Sequence, residues 1–138
     1  MSLNLIYAGE DTPAVVKTLA EDWIVSGPIR AAVHLSGVWH RLRPKVFKYE
    51  TPTSCSLNGK NTFAPVDVNH PWVNWALESS ENYGWLYYYA VDMMEEYERR
   101  FGMKPYITTM IGVFEEMPED VPEGPWTEPL FAKDIPFE

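Results

Sequence analysis

The sequence predicts a mainly α, single-domain fold: a compact helical body with a short N-terminal strand or extended segment and an extended acidic C-terminal tail. Three observations carry that expectation. Residues 80–102 form a capped stretch whose apolar side chains recur with a helical period. Asp11-Thr12-Pro13 and His70-Pro71 each place a proline in what reads as the first turn of a helix. Beyond residue 117, Pro118, Pro122, Pro125, Pro129 and Pro136 leave no stretch long enough for a helix.

Residues 3–8 (LNLIYA) are short, apolar and β-prone, a strand or an extended lead-in. Asp11 then caps a helix over about 12–25, with Val15, Leu19 and Trp23 on its buried face. Gly27-Pro28 stops it and starts a second helix over about 28–42, striped by Ala31, Leu35, Val38 and Leu42. His34 and Arg41 share a neighbouring face of that helix, and His40 lies elsewhere on it. Residues 43–67 keep no period and exceed ordinary loop lengths, with a short hairpin expected at Asn58-Gly59, a pair suited to positive φ.

The third helix spans about 70–78, with Trp72, Trp75 and Ala76 on one face. Asn69 and His70 stand at its mouth, where Asn69 suits an N-cap and free amides are able to hold an anion. In the fourth helix, Ser79 and Ser80 precede Glu81, and Leu86, Ala90, Met93, Tyr97 and Phe101 form the apolar stripe. Glu95 with Arg99 and Glu96 with Arg100 are spaced as i,i+4 ion pairs, and Gly102 ends the helix. Tyr83, Tyr87, Tyr88 and Tyr89 widen the aromatic surface, so this helix is central. A last helix is expected over about 106–116, and the tail, 117–138, is pinned by Trp126, Leu130 and Phe131.

The chain has 138 residues, enough for one domain with a real core, and its 46% hydrophobic content excludes a disordered chain. No apolar run approaches the ~18 residues of a membrane span, and no leader precedes a cleavage site, so a soluble, intracellular protein is expected. The lone Cys55 makes no internal disulfide, and three His with scattered acids give no metal-ligand spacing; neither metal nor cofactor is expected. The net charge of −9 is uneven. Residues 28–60 carry Arg30, Arg41, Arg43, Lys45, Lys48 and Lys60 against Glu50, a balance of +5, while the stretch from Glu115 onward carries −7. A basic middle on an acidic protein admits a nucleotide or a short nucleic-acid contact and disfavours extensive duplex binding.

The centre of the chain reads Asn69, His70, Pro71, Trp75, Glu78, Ser79, Asn82, Tyr83, Trp85, Leu86, Glu96, Tyr97, Arg100, Phe101 and Gly102. In that order and spacing it resembles a family of small bacteriophage proteins of uncharacterised function. Asp22, His40, Pro122, Gly124, Thr127, Pro129, Ala132 and Pro136 extend the resemblance over most of the chain. Where the family has Lys and His after the Asp, this chain has Trp23 and Ile24. Some members are labelled pyrimidine-dimer DNA glycosylases, and that label implies an N-terminal amine nucleophile, which would fall to Ser2, with a carboxylate such as Glu21.

The resemblance and the residue types together mark a candidate site. His40, His70 and Glu78 are its proton-transfer groups, and Arg41, Asn69, Trp75, Asn82, Tyr83 and Arg100 would hold phosphate and base. The expectation is a phage protein of the host cytoplasm that acts on or binds nucleic acid or nucleotides, with enzymatic activity left open. The alternative is an acidic binding protein that inhibits a host factor or sequesters a nucleotide signal. A homo-oligomer built on exposed Trp72, Tyr88 or Trp126 is the third expectation.

Overall fold

A computed structural model describes residues 3–134 of the chain. Among them are five helices, α1 (Thr12–Val16), α2 (Glu21–Leu42), α3 (Pro71–Ala76), α4 (Ser80–Phe101) and α5 (Thr108–Gly112). A three-stranded antiparallel meander, β1 (Phe47–Tyr49), β2 (Ser54–Leu57) and β3 (Lys60–Phe63), fills the segment after α2. The mainly helical class expected from the sequence is what the chain adopts.

Helix α4 is built as its sequence dictates. The Ser79 hydroxyl accepts from the Asn82 amide at 3.2 Å, and Gly102 closes the helix in the left-handed region at φ 78°. Leu86, Ala90 and Met93 are buried, each 1% exposed or less. Helix α2 lies antiparallel along it, bringing Gly27 to Met93 and Trp39 to Tyr83.

Gly27-Pro28 does not break the chain as the local signal suggests. The interruption falls earlier, over residues 17–20, and α2 runs unbroken through Pro28. Packing explains the difference. A Cβ on Gly27 would overlap the Met93 sulfur, so the glycine makes room for that side chain of α4. The burial of Trp23, Ile24, Ala31, Ala32 and Leu35 on both sides of Pro28 holds one continuous helix despite the missing amide donor.

The N-terminal segment is extended and unpaired with any strand, threaded between α2 and α4 by side-chain donors. Arg30 donates to the Asn4 carbonyl (3.0 Å), Tyr89 to that of Ile6 (2.7 Å) and Trp85 to that of Glu10 (3.0 Å). The turn at Asn58-Gly59 forms as its residues require, with φ 52° and 80°. It joins β2 to β3, and β1 adds a third strand that no periodicity announced. The helix expected over 106–116 is two short pieces, α5 and a 3-10 turn over Val113–Glu115.

In the tail a 3-10 turn over Leu130–Asp134 departs from the helix-free expectation. Leu130 is exposed; Val121 and Ala132 are the buried anchors. Residues 135–138, including Pro136, lie outside the described residues. One aromatic cluster occupies this end: Trp72 stacks on Trp85 with an interplanar angle of 3°, and Trp75, Trp126 and Phe131 meet these two rings. Trp72 is wholly buried and presents no surface to a second copy of the chain.

Candidate functional site

The central sequence motif turns out to be a set of braces. The wholly buried Asn82 donates through Nδ2 to the Trp75 carbonyl and the Thr127 hydroxyl, both at 3.0 Å. Its Oδ1 accepts from the Thr127 amide at 2.8 Å. The Trp75 indole donates to the Thr127 carbonyl at 3.1 Å, so Asn82 and Trp75 together clamp the tail to α3 and α4. Tyr83 donates to the Phe114 carbonyl at 2.8 Å and receives the Trp39 indole at 3.1 Å; burial drives its phenol pKa far upward.

Arg100 is spent in the same way. Its Nε donates to Glu96 Oε2 at 2.6 Å, and its terminal amine reaches the carbonyls of Val16 (3.2 Å) and Leu19 (2.9 Å), closing the end of α1. Glu96, 4% exposed, also takes Arg99 (Nε to Oε1, 2.9 Å), whose hydrogen bond, with that of Arg100, lowers the carboxyl to a pKa of about 2. Arg99 therefore turns to Glu96 at i,i+3 and leaves Glu95, its i,i+4 partner by spacing, unpaired among the described residues. Glu78 is exposed on the short link between α3 and α4.

The remaining candidates fall into two groups around α2. In the first, His70 caps α3: its Nδ1 accepts from the Trp72 amide at 3.1 Å, taking the capping role expected of Asn69. Asn69 instead accepts through its carbonyl from Asn74 (3.3 Å), and Asn74 accepts from Arg41 on α2. His34, which the sequence placed on a face of α2 but not among the site candidates, stacks on His70 with centroids 4.3 Å apart. Contacts from His34 to His70, from Gly37 to Val73 and from Arg41 to Asn74 show α2 and α3 running side by side in the same direction. His70 thus occupies the Trp72 amide in the first turn of the short α3.

Both imidazoles are neutral, His70 through its hydrogen bond and His34 through its burial. His34 Nε2 donates to the Leu3 carbonyl at 2.6 Å, and His70 Nδ1 is an acceptor. Burial, reinforced by His70 and Arg30, lowers His34 to about 4 against the opposing pull of Leu3 and Asp67; burial also lowers His70. Leu3 sits at His34, thirteen residues along α2 from Glu21, or ~20 Å of helix. Glu21 is thus remote from the start of the described chain.

The second group gathers at the C-terminal end of α2. His40 Nδ1 and the Tyr49 hydroxyl share a hydrogen bond of 2.9 Å, and both rings meet Phe47, Tyr49 nearly parallel to it (22°). Tyr49 is 52% exposed on β1, the edge strand of the meander. Lys45 lies in the turn before β1, Lys48 crosses to the other side of the same strand, and Arg41 is exposed next to His40. Among the described residues neither lysine has an ion-pair partner, whereas Arg43 is drawn to Asp120 (2.7 Å). His40 and His70 thus serve different neighbours: one meets β1, the other His34.

Among the described residues no cluster of His, Cys, Asp or Glu is arranged to hold a metal ion, and no helix is long and apolar enough to cross a membrane. No family model, curated protein or solved structure matches this chain.

Proposed function

We propose that the protein binds single-stranded nucleic acid or a nucleotide at the edge strand β1, where His40, Phe47 and Tyr49 share one side, Lys48 lies on the other and Lys45 precedes the strand. The observation that carries the reading is Tyr49: an aromatic ring half open to solvent, held by His40 and Phe47, on an edge strand that follows Lys45 and carries Lys48, neither lysine having an acidic partner among the described residues. A ring fixed on two sides stacks on a base at little entropic cost, and the lysines of the same edge answer the phosphates. The resemblance to phage proteins supports action in the cytoplasm of an infected host. With Asn82, Tyr83, Trp75 and Arg100 spent on the fold, the reading is one of binding, with no reaction assigned.

Fluorescence anisotropy of a labelled single-stranded oligonucleotide, alongside thermal unfolding with free nucleotides, tests it. Binding is expected at low salt. Tyr49→Ala is expected to cost about 1–3 kcal/mol if a base stacks there. Lys45→Glu with Lys48→Glu should weaken binding further and flatten its salt dependence. A midpoint shift with nucleotides and none with the oligonucleotide assigns the smaller ligand. No binding of either kind, or binding indifferent to Tyr49 and the lysines, overturns the proposal.

A further inference from the structure

The face of α4 turned away from α2 is not spent on the fold. Tyr88 is 55% exposed, and Val91, Glu95 and Glu98 continue its line toward the turn into α5. In that turn Met103 is 64% exposed and Tyr106 90% exposed. Between helix and turn lies a groove of about 310 Å³, walled by Val91, Met94 and Pro105 and rimmed by Glu95, Glu98 and Lys104. Neither glutamate has an ion pair or a side-chain hydrogen bond among the described residues, because Arg99 and Arg100 both turn to Glu96.

We propose that this groove docks a basic segment of a partner protein, taking an arginine or lysine side chain. Long cationic side chains are amphipathic: the stem packs on apolar surface while the head seeks charge. Val91, Met94 and Pro105 supply the apolar wall, and carboxylates one helical turn apart, at positions 95 and 98, receive the head. Tyr88 and Tyr106 add apolar and cation–π contact on either side. Charge complementarity selects the occupant. Two unpaired glutamates against Lys104 leave the rim negative on a protein of net charge −9, which attracts a basic partner and repels nucleic acid. The groove is thus distinct from the basic face at Tyr49, and each is tested without the other.

Fluorescence polarisation of a labelled arginine–leucine peptide against the full chain reads the site directly. The double variant Glu95→Lys, Glu98→Lys is expected to weaken binding about tenfold or more, and Tyr106→Ala about threefold, with circular dichroism unchanged because Glu95 and Tyr106 are exposed and Glu98 is only half-buried. Glu119→Lys with Glu123→Lys, equal in charge but in the tail, should leave binding near the wild-type value. Equal losses from both double variants would reduce the effect to net charge and overturn the groove, as would peptide binding indifferent to Glu95 and Glu98. Concentration-dependent association of the protein itself, abolished by Glu95→Lys with Glu98→Lys, would replace the basic partner with a second copy and overturn it too.

Discussion

His34 and His70 stack with ring centroids 4.3 Å apart, and both are neutral: His70 because its Nδ1 accepts from the Trp72 amide, His34 because burial lowers its pKa. That relationship ties the N-terminal segment, α2 and α3 together at one point and makes the joint sensitive to acid. His34 titrates near 4 in the folded protein and near 6.5 unfolded, so between those values the unfolded chain binds the extra proton. Stability therefore rises with pH across that window, by about 3 kcal/mol in all. His34→Gln keeps a donor for Leu3 without a titrating ring. Urea unfolding from pH 7 to pH 4 should show the variant with a flatter profile; an unchanged slope would dissociate the acid response from this pair.

A second acid response belongs to Glu96. Its carboxyl is lowered from 4.5 to about 2 by Arg99 and Arg100, so the stability it confers is present above 4.5 and is lost as pH falls toward 2. Glu96→Gln should cost about 1–3 kcal/mol at neutral pH by removing the charge that orients Arg100 onto Val16 and Leu19. Hydrogen exchange should quicken in α1 more than in α4. Uniform acceleration would contradict that coupling.

The wholly buried Asn82 makes three hydrogen bonds, two of them to Thr127. Asn82→Ala strands those partners and should destabilise the protein by on the order of 3 kcal/mol. Limited proteolysis should then cut first near residues 124–127, with Trp126 emission shifting to the red. A tail that stays protected would show the clamp to be redundant.

Two helix glycines are expected to respond differently to alanine. At Gly37 a Cβ would stand 2.7 Å from Val73 Cγ2, a stiff, wholly buried side chain, so Gly37→Ala should lose about 1–3 kcal/mol despite the better helix former. At Gly27 the obstacle is Met93, whose flexible chain can turn aside, and the ~1 kcal/mol helix-propensity gain offsets much of the overlap. Thermal melts of both variants, and of Gly37→Ala with Val73→Ala as the rescue, check the contrast.

What could be read from the sequence alone was whatever short-range chemistry decides. The Ser79 cap, the stripe through Leu86, Ala90 and Met93 and the left-handed Gly102 specify α4 from within about two dozen residues, and Asn58-Gly59 specifies its turn from two. The acidic balance and the buried Trp72, Trp75 and Ala76 face were equally legible. Tertiary structure decided the rest. Pro28 sits inside a helix because α4 covers both sides of it, an outcome no local propensity contains. His34 became notable only when α3 brought His70 onto it, and Arg99 chose Glu96 over Glu95 because a buried carboxylate holds its partners more strongly than one in water. Asn82, Tyr83 and Arg100 have the functional groups of a binding site, yet their polar atoms meet backbone groups up to 84 residues away. Residue type states what a side chain is able to do; burial and the partner that arrives from elsewhere in the chain determine what it does.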